Sequence, residues 1–210
     1  GHKGPSAAVD LEAGVIPLEQ GFGVGSEAVP VDVDGDGAAD VIYVASTSGK
    51  IYRINLHDTD VTRVAGGMIS KCVVGNAALA TGFSHQGVYT NLAVQVVGSA
   101  VQIFFGTSSN PDGPSVNPMD TQYFVIGYSD DHPLDPTCPS ESQYNLLWAD
   151  PLSTTAPPQQ VWGGVALNGS QVFATTAVGT SADACGLEQT TSGQGYNFNQ
   201  IDGTGETSTP

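Results

Sequence analysis

The apolar residues of this chain fall into short runs bounded by turn-forming residues, and helical periodicity is nearly absent. The runs are rich in Val, Ile and aromatic residues, which favours β-strands. We predict strands near residues 28–32, 41–45, 50–56, 88–97, 100–106, 121–129, 144–149, 161–167, 170–177 and 194–201. The pattern therefore indicates an all-β fold.

Two hairpins and two buried strands refine this prediction. Asn168-Gly169 separates two apolar runs, and Asn-Gly is the strongest two-residue hairpin signal because both residues tolerate a positive φ. Gly98-Ser99 separates two further runs in the same manner. Residues 41–45 are continuously apolar and residues 101–105 nearly so, and we expect both strands to be covered on both faces.

The organisation along the chain is simple. Residues 1–27 are Gly-rich and weakly patterned, so we expect an irregular N-terminal segment. Residues 28–201 hold all the predicted strands and form one domain, and residues 202–210 read as a mobile tail. A four-strand unit recurring every 40–60 residues or so would suit the blades of a β-propeller.

Charge excludes several classes of function. The chain carries 5 Lys and Arg against 21 Asp and Glu, for a formal net charge of −16, and no Lys or Arg follows residue 71. Such a surface cannot neutralise phosphates, so we expect no nucleic-acid binding and no electrostatic docking on anionic membranes. No apolar run approaches the roughly 18 residues of a membrane span.

Composition also indicates the compartment. Low lysine, strong acidity and abundant Gly, Ser, Thr and Asn fit an exported protein, extracellular or on the cell surface. Gly1 does not begin like a translated gene product, and we expect a mature or cleaved chain.

The cysteines are Cys72, Cys138 and Cys185, an odd count without a C-x-x-C pair. A thiolate zinc site or a dithiol redox motif is therefore unsupported. Cys138 and Cys185 both lie in loop-like sequence and could pair in an oxidising compartment. Cys72 would then be free and buried, or bonded to another chain, and the sequence leaves the pairing open.

One segment, residues 32–40, carries a pattern specific for metal chemistry. Asp32, Asp34, Asp36 and Asp40 occupy positions 1, 3, 5 and 9 of an EF-hand-type loop, and a glycine occupies position 6. Ala38, at position 7, could offer its backbone carbonyl. These oxygen ligands suit Ca²⁺ better than a late transition metal, and the cation would relieve the mutual repulsion of four carboxylates.

The loop departs from an EF-hand at its end. Position 12 is Tyr43 instead of a bidentate glutamate, and the residues that follow the loop read as a strand. We therefore predict a calcium loop between two strands and not a helix–loop–helix sensor.

A weaker candidate follows the predicted strand 121–129. Asp130, Asp131, His132 and Asp135 form a second acidic cluster, which fits a solvated loop better than a second metal site.

Residues 82–87 have one residue too many for a G-x-S-x-G nucleophile elbow, and we expect no enzymatic activity.

Residues 29–56 resemble the calcium-loop blade of PilY-type type IV pilus tip proteins, in which a D-x-D-x-N/D-x-x-x-D loop leads into a strand, a Gly-containing turn and an aromatic-basic-apolar strand. VQIFFGTSSNPDG and GGVALNGSQVFATTAV resemble later blades of that family. The resemblance covers roughly residues 25–200 and is strongest at the loop.

The resemblance implies a C-terminal β-propeller whose bound Ca²⁺ regulates pilus extension and retraction. By motif position, the ligands carry over to Asp32, Asp34, Asp36 and Asp40, with Ala38 through its carbonyl. Family members are much longer and carry an N-terminal adhesive domain, so adhesion is not transferred. About three to four blades fit this chain, whereas a propeller typically closes with four or more. The resemblance thus implies an incomplete propeller, completed by another chain or a pilus subunit.

Three alternatives stay open beside this hypothesis. An FG-GAP-like extracellular binding module would carry several D-x-D-x-D-G loops, and only one is present. A quinoprotein-type enzyme would need basic and carboxylate residues grouped for its cofactor. A subunit of an extracellular filament or hetero-complex would cover the unpaired strand edges of an incomplete propeller.

Overall fold

The computed structural model describes residues 18–56, 71–84, 86–109, 122–153, 158–178 and 193–208. The first four strands are β1 (Val29–Val31), β2 (Val41–Ala45), β3 (Lys50–Asn55) and β4 (Lys71–Asn76), followed by a short helix, α1 (Ala77–Thr81). The next four are β5 (Ala93–Val97), β6 (Ala100–Gly106), β7 (Phe124–Asp130) and β8 (Asn145–Pro151). The last four are β9 (Gln159–Asn168), β10 (Gln171–Val178), β11 (Gly195–Asn199) and β12 (Gly205–Ser208).

These strands form three four-stranded antiparallel sheets, each built from four strands consecutive in sequence. Sheet 1 has the order β1-β2-β3-β4, sheet 2 has β5-β6-β7-β8, and sheet 3 has β12-β11-β10-β9. A four-stranded antiparallel meander is the blade unit of a propeller. The predicted all-β, propeller-like fold of three to four blades is therefore confirmed, with three blades in the described residues.

The middle sheet is apolar on both faces because successive side chains of a strand point to opposite sides. In β6, Ile103 and Phe105 belong to a cluster shared with sheet 1, whereas Phe104 belongs to a second cluster shared with sheet 3. In β2, Tyr43 faces the first cluster and Val44 a third one. The prediction that both strands are covered on both faces is thus confirmed.

Both predicted hairpin turns are present. Asn168 pairs with Gln171 across a two-residue turn, and Gly169 has a φ of +61°. Val97 pairs with Ala100, and Gly98 has a φ of +64°. Glycine occupies these positions because only it adopts this region without steric cost.

Two strands were not predicted. Residues 71–76 form β4, which pairs with β3 across a register shift. Residues 205–208 form β12, which pairs with β11, inside the segment expected to be a mobile tail. This strand was not predicted because its sequence, GETS, is polar and shows no strand pattern.

The end of the expected irregular N-terminal segment is anchored on sheet 1. Glu19 accepts hydrogen bonds from the hydroxyls of Ser46 and Ser48, and its other oxygen lies 3.0 Å from Lys50 Nζ. Hydrogen bonding to Ser46, Ser48 and Lys50 lowers the pKa of Glu19, although partial burial acts in the opposite direction. Within the described part of the chain, no helix is long and apolar enough to cross a membrane.

Candidate metal centre

Residues 32–40 form the connection between β1 and β2, between two strands as predicted. Asp40 fixes its end to the sheet. Its N–H donates to the carbonyl of Val31 at 2.9 Å, and its carbonyl accepts the N–H of Leu56 at 2.7 Å. The loop therefore starts and finishes on paired backbone.

Within the loop, carboxylates accept backbone N–H groups. Asp32 accepts from Gly35 at 2.7 Å through Oδ1 and from Gly37 at 2.8 Å through Oδ2. The two glycines have φ values of +80° and +94°, which a residue with a side chain rarely adopts. These hydrogen bonds curl the loop around the Asp32 carboxylate.

The curled loop brings three carboxylates together. Asp32, Asp34 and Asp40 each offer one oxygen, and these oxygens all lie within 4.8 Å of one another. Asp40 is buried, and its Oδ2 accepts the N–H of Val33 at 2.7 Å. Three negative groups in so small a volume repel one another, so the arrangement favours a bound cation.

The two other predicted ligands lie differently. Asp36 is outside this group of oxygens, and its Oδ1 accepts the N–H of Ala38 at 2.8 Å. Ala38 is exposed, and its carbonyl stays a predicted ligand. The donor set is made only of oxygens and matches the preference of hard dications, so the residues present fit a Ca²⁺ ion.

The second acidic cluster has a different role. Asp130 is buried and paired with Arg53. Nη1 of Arg53 lies 3.0 Å from each carboxylate oxygen of Asp130. Asp131 accepts hydrogen bonds from Ser129 and Asn145. In the described ranges, only Asp32, Asp34 and Asp40 form a group of three candidate metal ligands, which disfavours a second metal site.

Arg53 connects sheet 1 with the loop that follows β7. Its Nη1 donates to the carbonyl of His132 at 2.8 Å, and its Nη2 donates to the carbonyls of Asp135 and Thr137. From sheet 1, Tyr43 donates its hydroxyl hydrogen to Asp130 at 2.8 Å. Burial, together with the negative charge of Asp130, raises the pKa of Tyr43 far above its usual range, so this hydroxyl stays protonated.

The structure corrects the expected disulfide. Cys72, in β4, is bonded to Cys138, in the loop between β7 and β8, across 66 residues. The Cys138–Cys185 pair is therefore excluded in this structure, and Cys72 is not free. Cys185 lies outside the described residues. Cys72 is the direct cross-strand partner of Arg53, and the loop that Arg53 holds carries Cys138 to it.

A cavity of about 260 Å³ lies beside this connection. It is lined by Arg53, by Val74 of β4 and by residues between Ser129 and Asn145, including Asp130, Cys138 and Tyr144. Sequence reasoning missed this site because β4 was not predicted and the contact between Arg53 and Asp130 spans 77 residues.

Comparisons with known proteins bear on the fold. No protein-family profile matches the chain, and no curated protein matches it. Among solved structures, the C-terminal domain of Pseudomonas aeruginosa PilY1 is similar, with a TM-score of 0.61 at 14% sequence identity. The match covers 93% of this chain and 52% of that chain, so this chain spans about half the length of the solved one. At this identity the likeness concerns the fold, and the chain has the propeller-like fold of the PilY1 C-terminal domain over that half.

Proposed function

We propose that this chain is a non-enzymatic, calcium-binding propeller portion of a type IV pilus-associated surface protein, with a role in pilus assembly or regulation. The observation that carries the proposal is the loop between β1 and β2, where three carboxylate oxygens lie within 4.8 Å of one another. The likeness to the PilY1 C-terminal domain supports the pilus context.

Calcium would act here as a structural clamp. Asp32 and Asp34 follow β1, whereas Asp40 immediately precedes β2 and is hydrogen-bonded to the end of β1 and to the residue after β3. A cation held by all three would join the loop to the paired strands and offset their repulsion. The remaining expected ligands are Asp36 and the carbonyl of Ala38.

A location of the protein outside the cytoplasm fits the same proposal. The disulfide between Cys72 and Cys138 is of a kind that forms and persists in oxidising compartments. We infer a location outside the cell or on its surface.

A partner that continues the propeller is part of the proposal. The chain spans 52% of the PilY1 C-terminal chain that it matches, and the described residues supply three blades. A propeller typically closes with four or more. We infer that further blades, or another subunit of a filament or hetero-complex, pack beside these three.

Thermal unfolding with calcium and with a chelator tests the metal. With free calcium at about one hundred times Kd, binding stabilises the fold by about 2.7 kcal/mol. For a domain of this size, that corresponds to a rise in melting temperature of about 5–10 °C. Asp34→Ala should abolish the calcium response, whereas Glu27→Ala removes an exposed carboxylate outside the loop and should retain it. Equal responses in the two variants would contradict the proposal.

A second experiment tests the biological context separately. In the source organism, the Asp34→Ala and Glu27→Ala variants are compared for surface pili and twitching motility. We expect only Asp34→Ala to change piliation. Unchanged piliation in a variant that has lost its calcium response would reject the pilus role and keep the calcium site.

A further inference from the structure

The two sulfur atoms of the disulfide lie in different environments. Cys72 is 1% exposed within sheet 1, whereas Cys138 is solvent-exposed and lines the cavity of about 260 Å³. Cys72 does not line this cavity. A nucleophile that enters from solvent therefore reaches Cys138 Sγ first.

The buried sulfur has a cationic hydrogen-bond donor beside it. Arg53 Nη2 lies 3.7 Å from Cys72 Sγ, and the Arg53 side chain is 1% exposed. Thiolates are stabilised by a neighbouring guanidinium, and a better stabilised thiolate leaves faster in thiol–disulfide exchange. The geometry thus distinguishes an attacked sulfur from a leaving sulfur.

We propose that the Cys72–Cys138 disulfide undergoes exchange with small-molecule thiols, with Cys138 Sγ as the attacked atom and Cys72 as the leaving thiolate. The incoming thiol first loses its proton to solvent. Its sulfur forms a bond to Cys138 Sγ while the bond between the two protein sulfurs breaks, and the electron pair leaves on Cys72 Sγ. The products are a mixed disulfide on Cys138 and a Cys72 thiolate beside Arg53 Nη2.

The exchange is reversible, and the small thiol supplies the electrons when the protein disulfide is reduced. Attack of the Cys72 thiolate on the mixed disulfide restores the protein bond and releases the small thiol. Attack by a second thiol instead releases Cys138, so that two thiols are oxidised to one disulfide while the protein gains two electrons.

The loop keeps its place when the disulfide opens. Arg53 donates to the carbonyls of His132, Asp135 and Thr137, and these hydrogen bonds do not depend on the disulfide. Cys138 is the residue after Thr137, so its sulfur stays near Cys72. The fold therefore permits opening and closing without unfolding.

The charged and titratable groups around Cys72 have opposite effects on the stability of its thiolate. Burial disfavours its thiolate, and the carboxylate of Asp130 partly offsets the charge of Arg53. Tyr43, which donates to Asp130, stays neutral, and the exposed side chains of Asp135 and His132 lie on the loop. Arg53 Nη2 donates directly to the sulfur, and we expect this stabilisation of the thiolate to exceed the opposing effects of burial and of Asp130.

Adduct mapping tests the order of attack. The Cys185→Ser variant, which removes the third thiol, is incubated in its native state with reduced glutathione, alkylated and digested. Trypsin leaves both cysteines in one fragment because no Lys or Arg follows residue 71, so a protease specific for Asp is used. We expect glutathione on Cys138 and the alkyl group on Cys72, in at least about tenfold excess over the reverse pattern.

The leaving group is tested in a variant with a single thiol. In Cys138→Ser/Cys185→Ser, the ultraviolet absorbance of the thiolate reports the pKa of Cys72, which we expect below the ordinary value of about 8.5. Adding Arg53→Lys should raise this pKa. Arg53 contacts Asp130 through Nη1 and the sulfur through Nη2, whereas lysine has a single side-chain nitrogen and cannot make both contacts. Adding Tyr43→Phe, which removes a hydrogen bond to Asp130 only, should leave it low. Adducts mainly on Cys72, adducts that form only in urea, or a Cys72 pKa at or above 8.5 or so would each overturn the proposal.

Discussion

The buried pair of Arg53 and Asp130 gives the sharpest prediction about stability. The two side chains are 1% and 5% exposed, and Nη1 lies 3.0 Å from each carboxylate oxygen. Asp130→Asn keeps the shape but leaves a buried guanidinium without its counter-charge. Breaking such a pair from one side costs about 3–5 kcal/mol.

Urea unfolding measures the cost directly. With a slope of about 2 kcal/mol per molar urea, the midpoint should fall by about 1.5 M or more. Tyr43→Phe is the matched control, because it removes the hydrogen bond to the same carboxylate and leaves both charges paired. We expect that control to cost about 1 kcal/mol. If Asp130→Asn costs no more than Tyr43→Phe, the ion pair does not stabilise the contact between sheet 1 and sheet 2.

Three further predictions concern other contacts. Replacing both Cys72 and Cys138 by serine should lower the unfolding free energy by up to about 4 kcal/mol in the chain-entropy model, because the bond closes a loop of 66 residues; urea unfolding against the oxidised, disulfide-bonded wild type measures it, and no loss would refute it. Gly106→Ala should cost about 1–3 kcal/mol because its methyl group would overlap the Val161 side chain, including its Cβ. Val161→Gly removes all of these atoms, so the double variant should lose less than the sum of the two single variants in the same assay, and additive losses would contradict this. Two serine hydroxyls and a lysine lower the pKa of Glu19, against the opposing effect of partial burial. Its contribution to the free energy of unfolding is therefore present above pH 4.5 and is lost as the pH falls through the lowered pKa of the folded state. Melting curves from pH 7 to pH 3 should show this loss in the wild type and not in Glu19→Gln, and identical curves would refute it.

Local signals predicted much of the fold. The alternation in β6 places Ile103 and Phe104 on opposite faces, and both faces are buried. Asn168-Gly169 specifies its turn through backbone conformations that few other residue pairs adopt. The acidic loop is equally local, because Asp32 and Asp40 lie within nine residues and the glycines between them allow the chain to curl.

Non-local pairing explains what the sequence did not predict. The sequence of β4, KCVVGN, has polar ends and a glycine, and it becomes a strand because β3 offers a paired edge. Arg53 lies between apolar residues of β3, and nothing local indicates which of the 21 acidic residues would neutralise it. Its partner, Asp130, and the disulfide partner of Cys72 both lie more than 60 residues away.

Calorimetric titration of the metal-free protein with calcium tests the central claim most directly. We predict one binding site with a dissociation constant between about 10⁻⁶ and 10⁻³ M, weaker binding of magnesium, and loss of the calcium heat in Asp34→Ala but not in Glu27→Ala. Absence of binding at millimolar calcium, or full binding by Asp34→Ala, would contradict the assignment of the loop as a calcium site.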